Sequence, residues 1–463
     1  MKIADTHNFS LIGGGMSGTL LAILLARRGI HSEIWEGGAD PRRNPTPATT
    51  AAPRPAMLAL GERGRHALRA AGLEDAVGRL VTPMRGRMIH DRRGQTTLQP
   101  YGIHAWEALY SIRRDRLIGC LLDAAEATGK IRIEFGRRLR SVDFTARTLR
   151  FESGEERNYA VLVGADGPRS SVRRALQEAG LLEVSESLLD VGWKGLSVPP
   201  AGNGGPRLDN RALHVWPRGG YMMIAMPDTD GHTPAMLFLP VEGDPRMPWG
   251  FAELDSWTRQ QAFMAFNFPD AGELIPDLEQ QFLDHPVGRM GTVRCDRWHL
   301  ATDRGGPALL IGDAAHCIVP FHGQGVNAAF EDCTALMDII DGGAADWDTA
   351  FERLHAARRA DAEAIADMAL DAYRVMRDAV RHRDFMLRKA LERELERRHP
   401  GLFVPRYSLV MFHRIPYAEA HRRGRLQADI LDDLLHGKQQ LAEVDLQRAA
   451  RLVEERLAPV PTT

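Results

Sequence analysis

FSLIGGGMSG, residues 9–18, is the stretch of sequence that decides the fold of the N-terminal part of the chain. Its first four residues predict a short buried strand, and residues 16–28 have the apolar periodicity of a helix. A second strand candidate, residues 31–36, follows at once. The predicted order of strand, glycine-rich turn, helix and strand is that of a βαβ unit.

The glycines of this turn have the spacing G-x-G-x-x-G, at Gly13, Gly15 and Gly18. Such glycines allow a tight turn and a close approach of a pyrophosphate to the N-terminus of a helix. Glu36 lies at the end of the next strand, about 20 residues on, where a carboxylate can accept hydrogen bonds from a ribose. These four residues therefore predict a dinucleotide site.

The composition is that of a globular protein with a small-molecule function. The 463 residues are 44% hydrophobic and 26% charged, and the net charge of −2 gives no global attraction for nucleic acid or an anionic membrane. The four cysteines are far apart and show no metal-ligand spacing, which favours reduced thiols in the cytoplasm. No apolar run approaches the roughly 20 residues that cross a bilayer, the C-terminal segment included, so we expect no membrane contact and no signal peptide.

The rest of the chain divides by pattern into sheets and helices. Residues 41–55 hold five prolines and predict a long loop with a functional or mobile role, and residues 57–80 are interpreted as a helix. Residues 190–300 predict a largely antiparallel sheet, and residues 308–311 predict a return to a buried strand. Further predicted strands are residues 131–135, 139–144, 148–151, 161–163, 213–216, 221–226 and 235–239, and the C-terminal helical segments are residues 348–398 and 427–457.

Two further motifs resemble the other fingerprints of flavin-dependent aromatic hydroxylases. The first is Val163-Gly164-Ala165-Asp166-Gly167, followed by Ser170 and Arg173, and the second is Gly312-Asp313-Ala314-Ala315-His316. The resemblance implies that Asp313 binds the ribityl hydroxyls of FAD and that Asp166 lies near the pyrophosphate and the incoming NADPH. We interpret His316 as structural.

The segment GDAAHCIVPFHGQGVNAAFEDC, residues 312–333, resembles the kynurenine 3-monooxygenase family. Residues 83–91, 99–102, 213–219, 292–295 and 407–417 resemble the same family, so the likeness covers nearly the whole chain. It implies an α/β fold with a Rossmann-like FAD-binding domain, an antiparallel-sheet substrate domain and a C-terminal helical region. The implied FAD-binding domain consists of residues 1–185, with substrate-facing strands near 83–110, and of residues 296–345. The implied substrate domain is the sheet of residues 186–295. Residues 346–463 are implied to form helices that cover the substrate.

The resemblance also implies the site residues. Arg87, Tyr101 and Tyr407 form a clamp for a substrate carboxylate, a role that suits a planar guanidinium fork and two hydroxyl donors. Without the resemblance, Arg87 would be interpreted as a surface arginine. The ring pocket is assigned to Pro320, Phe321, Phe238, Leu213, Val215, Ile224 and Met236, of which the last five equally suit ordinary core packing. The cofactor residues, besides those above, are Ala59, Arg114, Leu139, Gly325, Val326 and Asn327.

His322 and Gln324 are the candidate catalytic residues, with positioning or hydrogen-bonding roles. An anilino substrate demands no proton-abstracting group, and a structural role for His322 has equal support. The implied activity is FAD- and NADPH-dependent hydroxylation of L-kynurenine at ring position 3 by O2, through a flavin C4a-hydroperoxide. The expected partners are this aromatic amino acid, NADPH and O2. We expect no binding to nucleic acid or to a membrane. The chain has the option of forming a homodimer.

Two departures from the family pattern leave the substrate open. Ala372 stands before Tyr373 where the family has Asn, and Arg54-Pro55-Ala56-Met57-Leu58 stands where the family reads Arg-Ser-Ile-Asn-Leu. Each departure removes an amide side chain, and one lost hydrogen bond to a charged group costs about 1.5–3 kcal/mol. A substituted kynurenine or related aryl amine is therefore an alternative substrate. An alternative of another class is a catalytically idle flavoprotein that acts as a binding partner.

Overall fold

The computed structural model describes residue 3 and residues 9–43, 57–378 and 383–461. The strands are β1 (Phe9–Ile12), β2 (Ser32–Glu36), β3 (Met57–Leu60), β4 (Thr82–Met84), β5 (Gly86–His90), β6 (Thr96–Pro100), β7 (Leu109–Arg113), β8 (Ile131–Phe135), β9 (Leu139–Asp143), β10 (Thr148–Phe151), β11 (Glu156–Asn158), β12 (Val161–Gly164), β13 (Val184–Val198), β14 (Ala212–Pro217), β15 (Met222–Ala225), β16 (Thr233–Pro240), β17 (Gly288–Cys295), β18 (His299–Leu300) and β19 (Ala308–Leu310). The helices are α1 (Met16–Ala26), α2 (Glu62–Ala70), α3 (Glu74–Gly78), α4 (Arg114–Ala127), α5 (Ser171–Glu178), α6 (Trp257–Asn267), α7 (Pro269–Leu274), α8 (Leu278–Asp284), α9 (Asp313–His316), α10 (Gly325–Asp341), α11 (Trp347–Asp378), α12 (Arg383–Arg398), α13 (Arg406–Met411), α14 (Tyr417–Leu435) and α15 (Leu446–Arg456).

A six-stranded sheet forms the first layer, in the order β18-β19-β12-β1-β2-β8. All of its pairs are parallel except β18 with β19. Every residue of β1 and β12 is buried, which is typical of parallel strands covered on both faces. Beside this sheet, the helices α4 and α10 each pack against α1. Because β19 lies next to β12, the chain returns to this layer after the second sheet.

A seven-stranded sheet forms the second layer, in the order β17-β13-β16-β15-β14-β5-β6. Its neighbours are antiparallel except β14 and β5, which pair in parallel with Leu213 opposite Arg87. One face packs on α6, α7 and α8, and the other faces an apolar cluster shared with α11 and α13. This second face positions the candidate substrate pocket.

The C-terminal helices cover the junction of the two layers. The long helix α11 packs on α10 and α14, and α14 packs on α13 and α15. Among the described residues, no helix is both long and apolar enough to cross a membrane. The predicted α/β architecture, with an antiparallel-rich second sheet and C-terminal helices, is confirmed.

Two predicted elements need correction. Residues 57–80 are not one helix, because β3 pairs with β7 some fifty residues later and Gly61 ends the strand. A helical break follows at Gly72, whose φ is +75°. The predicted sheet over residues 190–300 is interrupted by α6, α7 and α8, whose amphipathic faces cover the outside of the sheet. Of the predicted loop over residues 41–55, residues 44–55 lie outside the described part of the chain.

Candidate functional site

The turn between β1 and α1 has the geometry of a phosphate-binding loop. Gly13 has φ +106°, and a Cβ atom there would lie 2.6 Å from the Ala165 carbonyl oxygen. A Cβ atom on Gly18 would lie 2.2 Å from the Gly13 carbonyl oxygen, so this glycine lets α1 approach the strand. Gly15 differs, because nothing lies within 4 Å of its Cβ position and no side chain caps the helix here. The open side of Gly15 and the uncapped N–H groups of α1 fit a pyrophosphate.

Glu36 is held beside the same turn. Its Oε2 atom accepts a hydrogen bond of 2.7 Å from the Gly14 N–H, and its Oε1 atom accepts one of 2.7 Å from the Gly38 N–H. Each carboxylate oxygen has a second lone pair. The side chain is thus fixed at the end of β2 and can still accept a hydrogen bond from a ribose hydroxyl.

The Asp166 and Asp313 turns lie together. Arg173 in α5 donates hydrogen bonds of 2.6 Å to the Pro168 carbonyl, in the turn after β12, and of 3.0 Å to the Ala314 carbonyl in α9, and so joins the two segments. Asp166 Oδ2 accepts from the Ser171 N–H at 2.6 Å, whereas Oδ1 is buried without a partner among the described residues. Burial raises the pKa of the Asp166 carboxyl group. Asp313 is half-buried, directly after Gly312 with its φ of +57°.

The N-terminus of α10 is the second open helix end. No side chain caps it, and nothing lies within 4 Å of the Gly325 Cβ position, while the adjacent Val326 is buried. The Asn327 side chain is used by the protein itself: Oδ1 accepts from the Gly61 N–H at 2.8 Å, and Nδ2 donates to the Ala59 carbonyl at 2.9 Å. A cofactor contact of Asn327 would therefore use its backbone N–H, and Ala59 belongs to the same junction.

The remaining predicted cofactor residues lie at other positions in or beside the first layer. Arg114 is the first residue of α4 and is half-buried. Leu139 starts β9 and is buried in the core of the first layer. The glycine turn, the Asp166 turn and the Asp313 turn follow the neighbouring strands β1, β12 and β19, so the three turns lie at the same edge of the sheet. Asn327 is hydrogen-bonded to Ala59.

One face of the second sheet, called the floor below, carries the apolar residues predicted for the ring pocket. Val215, Ile224 and Met236 are register partners on three neighbouring strands, and Met222 pairs with Phe238 one row along. Register partners point to the same face of a sheet. Leu213 occupies the corresponding position next to Arg87. The predicted ring-pocket residues therefore lie in one continuous surface, within a single buried cluster.

The turn Pro320–His322 forms a wall of this pocket. The Phe321 ring lies 5.1 Å from Phe238 on the sheet and 4.4 Å from Tyr373 on α11, measured between ring centroids. Pro320 is half-buried and begins this 3-10 turn. The wall is thus held between the floor and the C-terminal helices, as ring recognition requires.

Tyr407 is the centre of the predicted clamp. Its ring stacks on Tyr101 at 5.5 Å and on His322 at 5.8 Å, and the Arg87 guanidinium lies 4.7 Å from its centroid. The Arg87 Nε atom and the Tyr101 hydroxyl are buried, and neither makes a hydrogen bond of normal geometry within the described residues. A guanidinium grouped with two tyrosine hydroxyls beside an apolar cluster suits the carboxylate end of an aromatic amino acid.

Electrostatics fix the protonation states of the clamp. Burial and the neighbouring Tyr407 raise the pKa of Tyr101 well above its usual range, and burial raises the pKa of Tyr407. Burial, with the Arg406 and Arg87 charges, lowers the pKa of His322 to about 3. Both hydroxyl groups are therefore neutral donors at physiological pH, and the imidazole is neutral.

The two candidate catalytic residues have different surroundings. His322 is buried and its Nδ1 atom has no partner among the described residues, so it is free to hydrogen-bond a ligand. Gln324 is also buried, but its Oε1 atom accepts from the Tyr417 hydroxyl at 2.7 Å and its Nε2 atom lies 3.0 Å from the Met411 sulfur. The His316 Nε2 atom lies 2.6 Å from Asp332 Oδ2, which fits its predicted structural role.

Sequence reasoning missed two features of the site. Eight of the twenty buried members of the pocket cluster are methionines, among them Met57, and Ala372 lies at its margin. A buried ion network lies behind the wall, formed by Arg63, Glu331, Asp332, Arg358 and Asp361. These methionines come from widely separated segments, and charged residues in helical sequence predict a solvated face, so no local pattern pointed to either feature.

Comparisons with known proteins agree with this geometry. An FAD binding domain model matches residues 8–372. Kynurenine 3-monooxygenase from Xanthomonas campestris pv. campestris strain 8004 is 44% identical over 462 residues, which cover 99% of this chain and 98% of the relative. Kynurenine 3-monooxygenase from Xanthomonas axonopodis pv. citri strain 306 is 44% identical over 465 residues, covering 99% of both.

Solved structures share the fold at lower identity. The tetrameric form of 2-methyl-3-hydroxypyridine-5-carboxylic acid oxygenase has a TM-score of 0.66 at 20% identity and covers 85% of this chain and 98% of its own. PqsL, a probable FAD-dependent monooxygenase from Pseudomonas aeruginosa, has a TM-score of 0.59 at 20% identity and covers 80% of this chain and 97% of its own. These likenesses extend the fold assignment to both sheets.

Proposed function

The chain belongs to the kynurenine 3-monooxygenase family, and from this membership we propose that it hydroxylates L-kynurenine at ring position 3 with FAD, NADPH and O2. In this reaction NADPH supplies two electrons, one oxygen atom of O2 replaces a ring hydrogen as hydroxyl, and the other leaves as water. The ring amino group directs the oxygen atom to its ortho carbon by donating electron density.

One observation carries the proposal: a cation and two neutral tyrosines lie beside an apolar cluster that contains the aromatic rings of Phe238 and Phe321. Arg87 with Tyr101 and Tyr407 supports binding of an amino-acid carboxylate. Phe238 on the floor and Phe321 in the wall support packing of the aryl ring. A substrate that is anionic at one end and aromatic at the other fits both parts.

The described residues fit FAD. The glycine turn with Glu36 would hold the adenosine and pyrophosphate, Asp313 the ribityl hydroxyls, and the backbone N–H groups of Gly325 and Val326 the flavin ring. Bound FAD supplies oxidation of NADPH and activation of O2, chemistry that the side chains lack. The orphan Asp166 Oδ1 atom and the open sides of Gly15 and Gly325 support this placement.

The chain's own residues bind, orient and exclude water. The clamp fixes the amino-acid end, and the apolar floor and wall keep the ring in a dry pocket. The neutral His322 imidazole can hold a substrate polar group by hydrogen bonding, while Gln324 is engaged by the C-terminal helices. A general-base role for His322 has no support, because a pKa of about 3 leaves it a weak base.

The test is NADPH consumption by purified protein with and without L-kynurenine, with the product's mass followed. Stimulated consumption with a product heavier by one oxygen atom is the expected result. Stimulation that yields only H2O2 would mean that kynurenine imitates the true substrate. No stimulation at saturating concentration would contradict the proposal.

A substituted kynurenine or related aryl amine is the second candidate, and a specific observation favours it. Met57 and Ala372 place no amide in the predicted ring pocket. The buried cluster around it is rich in methionine, whose flexible thioethers adapt to differently shaped ligands. A panel of ring-substituted kynurenines separates the candidates. The substituted-kynurenine candidate gains support if the kcat/KM for a derivative exceeds that for kynurenine by more than about tenfold. A single methylene group in an apolar pocket changes kcat/KM by about this factor.

The proposal includes the domain division, the location and the assembly of the protein. We assign residues 1–185 and 296–345 to the FAD-binding domain, residues 186–295 to the substrate domain and residues 346–463 to the helical cover, with the course of the two sheets as support. The use of NADPH favours a cytoplasmic location. A homodimer is open to measurement by light scattering.

A further inference from the structure

A hydrogen bond joins the substrate-facing turn to the C-terminal helices. The Tyr417 hydroxyl, at the first residue of α14, donates to Gln324 Oε1 at 2.7 Å. Both side chains are buried, Tyr417 completely and Gln324 to within 1% exposure. Gln324 lies two residues after His322 and is the residue from which α10 starts. The Tyr417–Gln324 hydrogen bond therefore lies at the junction between the turn Pro320–His322 and the N-terminus of α10.

Tyr417 itself is held rigidly from behind. The Arg63 guanidinium lies 3.8 Å from the centroid of its ring and donates to the Ile415 carbonyl and to Glu331. Glu331 is also 2.8 Å from Arg358, which is bonded to Asp332 at 3.1 Å. This ion network therefore contacts the Tyr417 ring through Arg63, while the hydroxyl is directed at Gln324.

The same network reaches the cofactor side. Asp332 Oδ2 accepts from the backbone N–H of Gly312 at 3.2 Å, at the turn that carries Asp313. Asp361 accepts from the Ala418 N–H at 2.9 Å, directly after Tyr417. One continuous set of buried polar groups therefore spans the Asp313 turn, α10, α11 and the start of α14.

We propose that Tyr417 is a positioning residue for the turn Pro320–His322, which it holds against the pocket through Gln324. Its hydroxyl supplies the only side-chain O–H donor to Gln324 among the described residues. Loss of that donor leaves a buried amide oxygen unsatisfied, and the amide must then turn or bring in water. The turn is displaced in either case, and a displacement of about 1 Å is enough to weaken substrate positioning.

Hydrogen exchange of the protein without substrate tests this directly. In Tyr417→Phe, we expect the backbone amides of residues 321–327 to exchange about tenfold faster than in the wild type. Tyr159→Phe is the matched control, since Tyr159 is buried and its hydroxyl donates to the Gly305 carbonyl at 3.2 Å in the first layer. The control should leave exchange in residues 321–327 unchanged.

A double-mutant comparison shows whether Gln324 transmits the effect. Gln324→Leu removes the other partner of the bond, so it should speed exchange in the turn to a similar extent. Combined with Tyr417→Phe, it should add almost nothing, because the two residues act through one bond. Additive effects, or unchanged exchange in Tyr417→Phe, would overturn the proposal. If Tyr417→Phe does not fold, Gln324→Leu provides the same test from the other side of the bond.

Turnover provides a second readout, which rests on the proposed function. With L-kynurenine, Tyr417→Phe should lower the hydroxylated product formed per NADPH about threefold and release the difference as H2O2, because positioning rather than reduction is affected. A lower rate of NADPH oxidation with unchanged product yield would count against a positioning role. If the wild type forms no product from kynurenine, the proposed function fails, whereas the exchange experiment still decides the role of Tyr417.

Discussion

Under the proposed function, Arg87 is the residue on which we expect substrate binding to depend most. Its guanidinium lies over Tyr407, and its Nε atom is buried without a partner among the described residues. Arg87→Met should raise the KM for the amino-acid substrate about tenfold or more, the effect of losing about 1.5–3 kcal/mol from a charged hydrogen bond. The flavin absorbance of the purified variant should match the wild type. Steady-state kinetics and a visible spectrum check both expectations.

Arg85 supplies the matched control, since it lies two residues away and is exposed, with its Nη1 atom bonded to the Ala105 carbonyl at 2.7 Å. Arg85→Met should leave KM within about twofold of the wild-type value, as a surface change does. Equal loss of flavin and of substrate binding in Arg87→Met would contradict the clamp assignment.

His322 should make stability depend on pH. Its pKa of about 3 in the folded protein lies below the unfolded value near 6.5, so the unfolded state binds the extra proton first. The stability that its neutral form contributes is complete above pH 6.5 and falls by about 1.4 kcal/mol per unit as the pH drops toward 3. His322→Gln lacks this ionisation.

The measurement is thermal unfolding of both proteins at pH 7.5 and 5.5. Wild type should lose more stability across this interval than His322→Gln, by about 1 kcal/mol, because only the wild type carries this imidazole. His214, whose pKa burial lowers to about 4, is present in both proteins and cancels in the comparison. Equal losses would show that His322 titrates normally.

The β1–α1 turn allows a prediction about an element rather than a side chain. A Cβ atom on Gly15 meets nothing within 4 Å, so Gly15→Ala should fold normally and yet obstruct the space for the pyrophosphate. We expect loss of most of the bound FAD with an unfolding temperature of the apoprotein close to wild type. The ratio of flavin to protein absorbance reports the first quantity, and calorimetry of the apoprotein the second.

Gly272→Ala in α7 is the control, because its Cβ position is equally open and lies in the second layer. It should retain full FAD content. If Gly15→Ala also retains FAD, the pyrophosphate does not lie over the N-terminus of α1.

Elements formed by contiguous sequence were predictable, and those formed by distant pairing were not. The cofactor turn could be identified because its strand, glycines and helix are adjacent in sequence, so local geometry determines it. β3 was missed because its strand conformation depends on pairing with β7. The clamp needed the family resemblance, since Arg87, Tyr101 and Tyr407 come from three segments that only the fold joins.

At the scale of the molecule, the C-terminal helices complete the site rather than merely cover it. α11 contributes Tyr373 to the wall, α13 contributes Tyr407 to the clamp, and α14 contributes Tyr417 behind the wall. The charges that join these helices to α10 are buried, which periodicity alone could not predict because charged residues in helices are usually solvated. The two sheets and the helices therefore act as one unit around the pocket.

Arg358 is the centre of that unit, paired with Glu331, Asp332 and Asp361 at 2.8–3.1 Å. Arg358→Met should lower the free energy of unfolding by about 3–5 kcal/mol, because it leaves buried carboxylates without their cation. The neighbouring Arg359, in an exposed pair with Glu363, gives the control Arg359→Met, with a change of at most about 0.5 kcal/mol. Urea denaturation followed by circular dichroism measures both. A small effect of Arg358→Met would mean that the helices are held by apolar packing alone, and the coupling between the Asp313 turn and α14 would then lose its physical basis.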